Sequence, residues 1–208
     1  MFSLSRYVRV PIALLLVFGT SGSAMSEVLA QKSYSYFYIR GNTAGELDAA
    51  LTKHGPTTTT ASGHHPGATK IRFGGNVTYV QKDGRCRVGA VRVTVSAQLI
   101  LPRWSNRRRA DKDLSLIWDT LSSDIKRHEE RHAEIARMSA RDMERALRSL
   151  PPQKNCALMQ AKVAQKSTEL MEAHDREQAR FDRVEAVNFE SRMTRLLTYR
   201  LKAIAREK

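Results

Sequence analysis

The sequence is poor in cysteine, poor in acid and without a long apolar run. Its longest apolar stretch, Val10 to Phe18, is about half of the ~20 residues that a helix needs to cross a bilayer, which excludes a permanent helical anchor there. Arg6 and Arg9 precede that stretch and small residues follow it, the order of a secretory signal. Residues 1–30 are therefore expected to be a signal peptide, cut after Ala24 or, preferably, after Ala30. The mature chain is expected to be secreted or periplasmic, with no transmembrane anchor. About 178 residues remain, enough for one domain with its own core, and nothing calls for a second.

Cys86 and Cys156 are the only cysteines. An even pair in an exported chain reads as a disulfide, which would tie the middle of the chain to its C-terminal part. Acid is scarce: 35 Lys and Arg face 21 Asp and Glu, a net charge of +14. Such a surface attracts anionic partners, so an anionic envelope component is an expected partner. Arg107-Arg108-Arg109 and the C-terminal helix carry much of the excess. Aromatic and basic residues are not interleaved as in nucleic-acid readers, so sequence-specific nucleic-acid binding is not expected.

Along the chain, Ser33 to Arg40 is aromatic-rich and ends at Gly41-Asn42, the pattern of a strand. A helix follows, capped by Asn42 or Thr43, with Glu46 in its first turns and Gly55-Pro56 at its end. Residues 57–69, with four consecutive threonines, His64-His65, Pro66 and Gly67, read as a loop in which the histidines lie at the surface. Period-two alternation then runs from Ile71 to Leu101 around a turn at Lys82-Asp83-Gly84, a meander or long hairpin. Everything after Ala110 has helical periodicity. One helix, capped by Asp111 or Asp113, reaches the Pro151-Pro152 break, and another runs from about Cys156 to Ala205 with no Gly or Pro. Its end, where Leu197, Leu201 and Ile204 sit beside Arg200, Lys202 and Arg206, is basic and amphipathic. The expected fold is α+β: an antiparallel sheet of the N-terminal strand plus the meander, packed against the long C-terminal helices.

The chemistry-bearing segment is His128-Glu129-Glu130-Arg131-His132, an HExxH sequence on the first long helix. Histidines four apart project from one helix face, so both rings can meet a single ion. At 100° per residue they share a stripe with Leu121, Ile125 and Ile135, the face expected to pack inward. Neutral imidazole suits Zn²⁺, and Glu129 is placed to accept a proton from attacking water. Zinc does not change oxidation state, so such a site works in an oxidising compartment. The expected activity is hydrolysis of peptide bonds in a protein or peptide substrate. The alternative is a non-catalytic basic envelope protein of the same fold that binds an anionic partner or only holds zinc.

Several segments, in order, resemble one family: Tyr38-Ile39-Arg40-Gly41-Asn42-Thr43, Glu46-Leu47, Gly55-Pro56, Cys86, Leu101-Pro102-Arg103-Trp104, Trp118, the HExxH segment and Cys156 after the Pro-Pro break. The resemblance, over about Tyr34 to Asn188, is to domain-of-unknown-function family 922, described as predicted secreted zinc-dependent proteases. It implies an α+β metalloprotease-like domain with His128 and His132 as zinc ligands and Glu129 as catalytic acid/base. One segment departs from the family pattern. Where that pattern has Tyr-Asp-x-x-Thr-x-His-Gly, this chain has Phe181-Asp182-Arg183-Val184-Glu185-Ala186-Val187-Asn188, with Val187 in place of the histidine. Asp182, Glu185 and His174 lie near the missing position. His174 and Glu185 are about 16 Å apart along a helix, so at most one reaches the metal. Glu185 is the expected third ligand, because two His plus Glu is a known catalytic zinc set.

Overall fold

The computed structural model describes residues 29–57 and 65–206. The expected signal segment falls outside them, except for Leu29 and Ala30, which open the first strand, β1 (Leu29–Ile39). His64 also falls outside. After β1 come α1 (Ala44–His54), β2 (Ala68–Lys82), β3 (Arg85–Trp104), a short 3₁₀ turn at Arg107–Arg109, α2 (Lys112–Arg148) and α3 (Cys156–Arg206).

Local chemistry sets most of these limits. The Thr43 hydroxyl accepts from the Glu46 amide (3.2 Å) while Glu46 accepts from the Asn42 amide (2.6 Å), a reciprocal cap that starts α1. The Asp111 carboxylate accepts from the Leu114 amide (2.8 Å) and starts α2. Asp83 and Gly84 both have positive φ, 54° and 71°, the backbone of a two-residue hairpin turn whose twist matches the long strands on either side.

The sheet order is β1-β3-β2, with β2 antiparallel to β3 and β1 parallel to it. This corrects the expectation of an antiparallel sheet: the sheet is mixed. A parallel neighbour needs a crossover, and the chain between β1 and β3, which includes α1 and β2, provides it, so that β3 runs beside β1 in the same direction.

The pleat divides the sheet into two unlike faces. Val91, Val93, Val95, Ala97 and Leu99 alternate inward along β3 and are buried. They meet Ile125, Ala136, Ala140, Met143 and Leu147 of α2 and Met159 and Val163 of α3. A second cluster, Ile39, Leu47, Leu51, Trp104, Leu114 and Trp118, ties α1 and the start of α2 to one end of the sheet. Opposite that end, Cys86 and Cys156 form the expected disulfide (S–S 2.02 Å). The backbone of Cys86 also exchanges two 2.9 Å hydrogen bonds with Gln153, so the turn between α2 and α3 is fastened to the hairpin by covalent and polar contacts together. No described helix is long and apolar enough to cross a membrane.

Candidate metal centre

The HExxH residues lie in the middle of α2, where α3 runs alongside it. His128 and His132, one turn apart, turn into the α2–α3 seam, and their Nε2 atoms are 3.0 Å apart. Facing them from α3 is Asp182, whose Oδ1 is 2.9 Å from His132 Nε2 and 3.4 Å from His128 Nε2. Each of the three residues thus offers one donor atom to the same point. A tetrahedral ion with ligands at ~2.0 Å requires donor atoms roughly 3.3 Å apart, close to the spacing of this triangle.

The ring orientation is fixed from behind. Gln178, one turn before Asp182, donates an N–H of its Nε2 to the His132 carbonyl (3.2 Å), so its Oε1, 2.6 Å from His132 Nδ1, accepts a hydrogen bond from that nitrogen. In the neutral ring that places the proton on Nδ1 and leaves the Nε2 lone pair free to meet a cation. Gln178 Nε2 also reaches His174 Nε2 (2.9 Å), and His174 is buried against the edge of Phe73. His174 therefore supports the glutamine and is not in the triangle. Phe181 stacks on His128 (4.8 Å) and meets His132 edge-on (5.0 Å), shielding one side of both rings.

Electrostatics follow from the crowding. Burial opposes ionisation of Asp182, but the hydrogen bonds that His128 and His132 donate to it in their protonated forms outweigh burial and hold the carboxyl well below the usual carboxylate range. Burial also works against a charged His132, yet Asp182 and Gln178 together raise its pKa. Three lone-pair donors converge on one point with an anion among them, an arrangement that favours a cation at their centre.

Glu185, the third ligand expected from sequence, is placed otherwise. Its carboxylate is paired with Arg127 and lies 3.3 Å from Arg192 Nη2, and its nearest approach to the cluster is 3.6 Å from His128 Nδ1, the outer ring nitrogen. Burial raises its pKa, but Arg127 more than offsets this and the net shift is downward. Val187 is 85% exposed, as a residue about 140° round the helix from Asp182 should be.

Glu129 reaches toward the start of β2 while staying close enough to His128, His132 and Asp182 to feel their charge, and at 4% exposure it is buried more deeply than either histidine. Its Oε2 lies 2.8 Å from the Thr69 hydroxyl. A Cβ on Gly67 would stand 3.0 Å from Glu129 Oε1 and 2.8 Å from Ile125 Cγ2, so the bare backbone of glycine is what lets this strand reach the helix. Burial raises the Glu129 pKa above the ordinary value, against the Thr69 hydrogen bond and the nearby histidines. A carboxyl poised in this way is suited to exchanging a proton.

The sequence pointed to His128, Glu129 and His132, and α2 brings all three to one place. Gln178 and Phe181 were not singled out, although 174, 178 and 182 repeat every four residues along one face of α3. Among proteins already grouped by sequence, a family model described as a bacterial protein of unknown function, DUF922, matches residues 34–189. No curated protein and no solved structure matches the chain.

Proposed function

The chain belongs to the DUF922 family of bacterial proteins of unknown function, and from that premise and the geometry of its α2–α3 seam we propose that it is an exported, zinc-dependent hydrolase of peptide bonds. The observation that carries this reading is the convergence of His128 Nε2, His132 Nε2 and Asp182 Oδ1 within 3.4 Å of one another, with Glu129 next in the chain to the first of them. Zinc, when bound, supplies Lewis acidity that polarises a carbonyl and makes water acidic near neutral pH. His128 and His132 would hold it through Nε2, with Gln178 fixing the tautomer of His132, and Asp182 would bring one negative charge to the site. Glu129 takes a proton from the attacking water on its carboxylate and delivers it to the departing amine. The disulfide is consistent with an oxidising compartment.

The test combines metal analysis with one substitution. Purified protein should carry one zinc per chain and cleave a casein digest, and Glu129→Gln should keep the zinc and lose turnover by a factor of about 10² or more. Equal cleavage by wild type and variant would falsify the mechanism. One observation favours a second reading: the Glu129 carboxylate is already engaged by Thr69, as a purely structural acid would be. On that reading the protein holds zinc without turnover, and Glu129→Gln changes stability alone.

A further inference from the structure

The face of the sheet turned away from α2 and α3 carries charge of one sign. The three strands contain eight Lys and Arg and not a single Asp or Glu. Pairing register places six of these cations on the outer face: Lys70 opposite Gln98, Arg72 opposite Ser96, Arg92 opposite Asn76, Arg87 opposite Val80, and Lys82 opposite Arg85. All six are exposed, and among the described residues none of them is within ion-pair distance of a carboxylate, whereas cations on α2 and α3 are repeatedly paired. From Lys70 to Lys82 the row extends about 40 Å at ~3.3 Å per residue.

Between the cations the same face presents small polar groups: Ser33, Thr94, Ser96 and Gln98, with no aromatic side chain interposed. Part of it is concave, a trough of ≈ 520 Å³ lined on this face by Lys70 and Arg72 together with Ser33, Ser96 and Gln98. Six unpaired cations side by side repel one another, an arrangement that a bound polyanion relieves.

We propose that this outer face binds an anionic polysaccharide: a hydroxylated chain bearing carboxylate, phosphate or sulfate groups at intervals. Charge complementarity selects a polyanion. Three observations choose among polyanions. Hydroxyl and amide side chains between the cations match sugar hydroxyls. A single-stranded nucleic acid would want aromatic platforms for its bases, and the stretch of this face that carries the cations has none; Phe37 and Trp104, further along, are packed into the cluster with α1. A membrane is flat and rewards apolar anchors, while this surface is a trough with polar walls. The metal centre lies on the helical side of the sheet, so an occupied trough leaves it open, and the inference stands whether or not the protein is a hydrolase.

The experiment measures binding of the full mature protein to polygalacturonate, with neutral dextran, duplex DNA and phosphatidylglycerol vesicles as parallel probes. Two triple variants remove equal charge: Lys70→Gln/Arg72→Gln/Arg92→Gln from the sheet, and Arg195→Gln/Lys202→Gln/Arg206→Gln from α3. All substituted side chains are exposed, and an unchanged thermal midpoint with the disulfide intact establishes that the variants fold. Polygalacturonate should bind, weaken by about tenfold or more between low and moderate salt, and lose about another tenfold in the sheet variant while the α3 variant stays within about threefold of wild type. Equal losses in the two variants would reduce the effect to total charge and overturn the proposal. So would no binding, binding of dextran, or a preference for DNA or vesicles over polygalacturonate.

Discussion

The Thr69 hydroxyl stands 2.8 Å from Glu129 Oε2 and 3.0 Å from the backbone carbonyl of the same glutamate, so one β2 side chain grips both ends of the residue that follows the first histidine. A hydroxyl carries a single proton. It serves both acceptors fully only by sharing that proton, or by donating to the carbonyl while a protonated Glu129 donates back to it.

Thr69 is accordingly expected to position Glu129. Thr69→Val keeps the shape and removes the partner, leaving a buried carboxyl unsatisfied at a cost of about 1–3 kcal/mol. Urea unfolding should show this loss, and peptidase turnover should fall with it. Thr69→Ser restores the hydroxyl and should recover most of both. If Val and Ser variants are equally impaired, the methyl group matters and the hydrogen bond does not.

The third zinc ligand is expected to be Asp182. Asp182→Ala should leave the purified protein with well under one zinc per chain. Glu185→Gln, which touches only the outer nitrogen of His128 and the arginines around it, should retain metal with affinity reduced by no more than the 10- to 100-fold typical of supporting residues. The reverse ranking in metal titrations would return the ligand to Glu185.

How far these features could be read from sequence depends on how local their causes are. Thr43 with Glu46, Asp111, Asp83-Gly84 and Pro151-Pro152 each act on neighbouring backbone, and the elements begin, turn and end where those residues dictate. The direction of β1 was not legible, because period-two alternation is the same for parallel and antiparallel pairing; the crossover through α1 decides it. Choosing between Asp182 and Glu185 required knowing that Arg127 and Arg192 claim the latter, contacts set by how two helices pack. Gln178 escaped notice because glutamine is seldom a ligand and its work is done on another helix. The acid-free strands were visible in the sequence, but the bulge between Val77 and Tyr79 shifts the alternation, so only the paired register shows which cations share a face.

The disulfide closes a loop of 70 residues. On a chain-entropy basis, a loop of that length stabilises the folded state by about 4 kcal/mol. Cys86→Ser/Cys156→Ser should lower the unfolding free energy by an amount of that order, and reductant should bring wild type down to the level of the double variant. Added reductant that leaves the wild-type midpoint unmoved would show that the bridge contributes little.

Stability should also fall in acid through Asp124, at the contact that locks α3 to α2. Its carboxylate is 5% exposed and lies 3.0 Å from Arg192 Nε and 2.9 Å from Arg127 Nε. Burial alone would raise its pKa; the hydrogen bonds from Arg192 and Arg127 prevail and hold it below the ordinary value. Since the folded form releases its proton more readily than the unfolded form, the contribution is fully present above the unfolded pKa of ~3.9 and disappears as pH falls through the lower folded value. Unfolding free energies measured from pH 7 to pH 3 should therefore decline below about pH 4 more steeply for wild type than for Asp124→Asn, which cannot titrate at this site. At neutral pH Asp124→Ala, which leaves Glu185 as the remaining partner of both arginines, should cost about 1–3 kcal/mol. Parallel acid curves for wild type and Asp124→Asn would remove Asp124 from the account and leave the joining of the two helices to their apolar contacts.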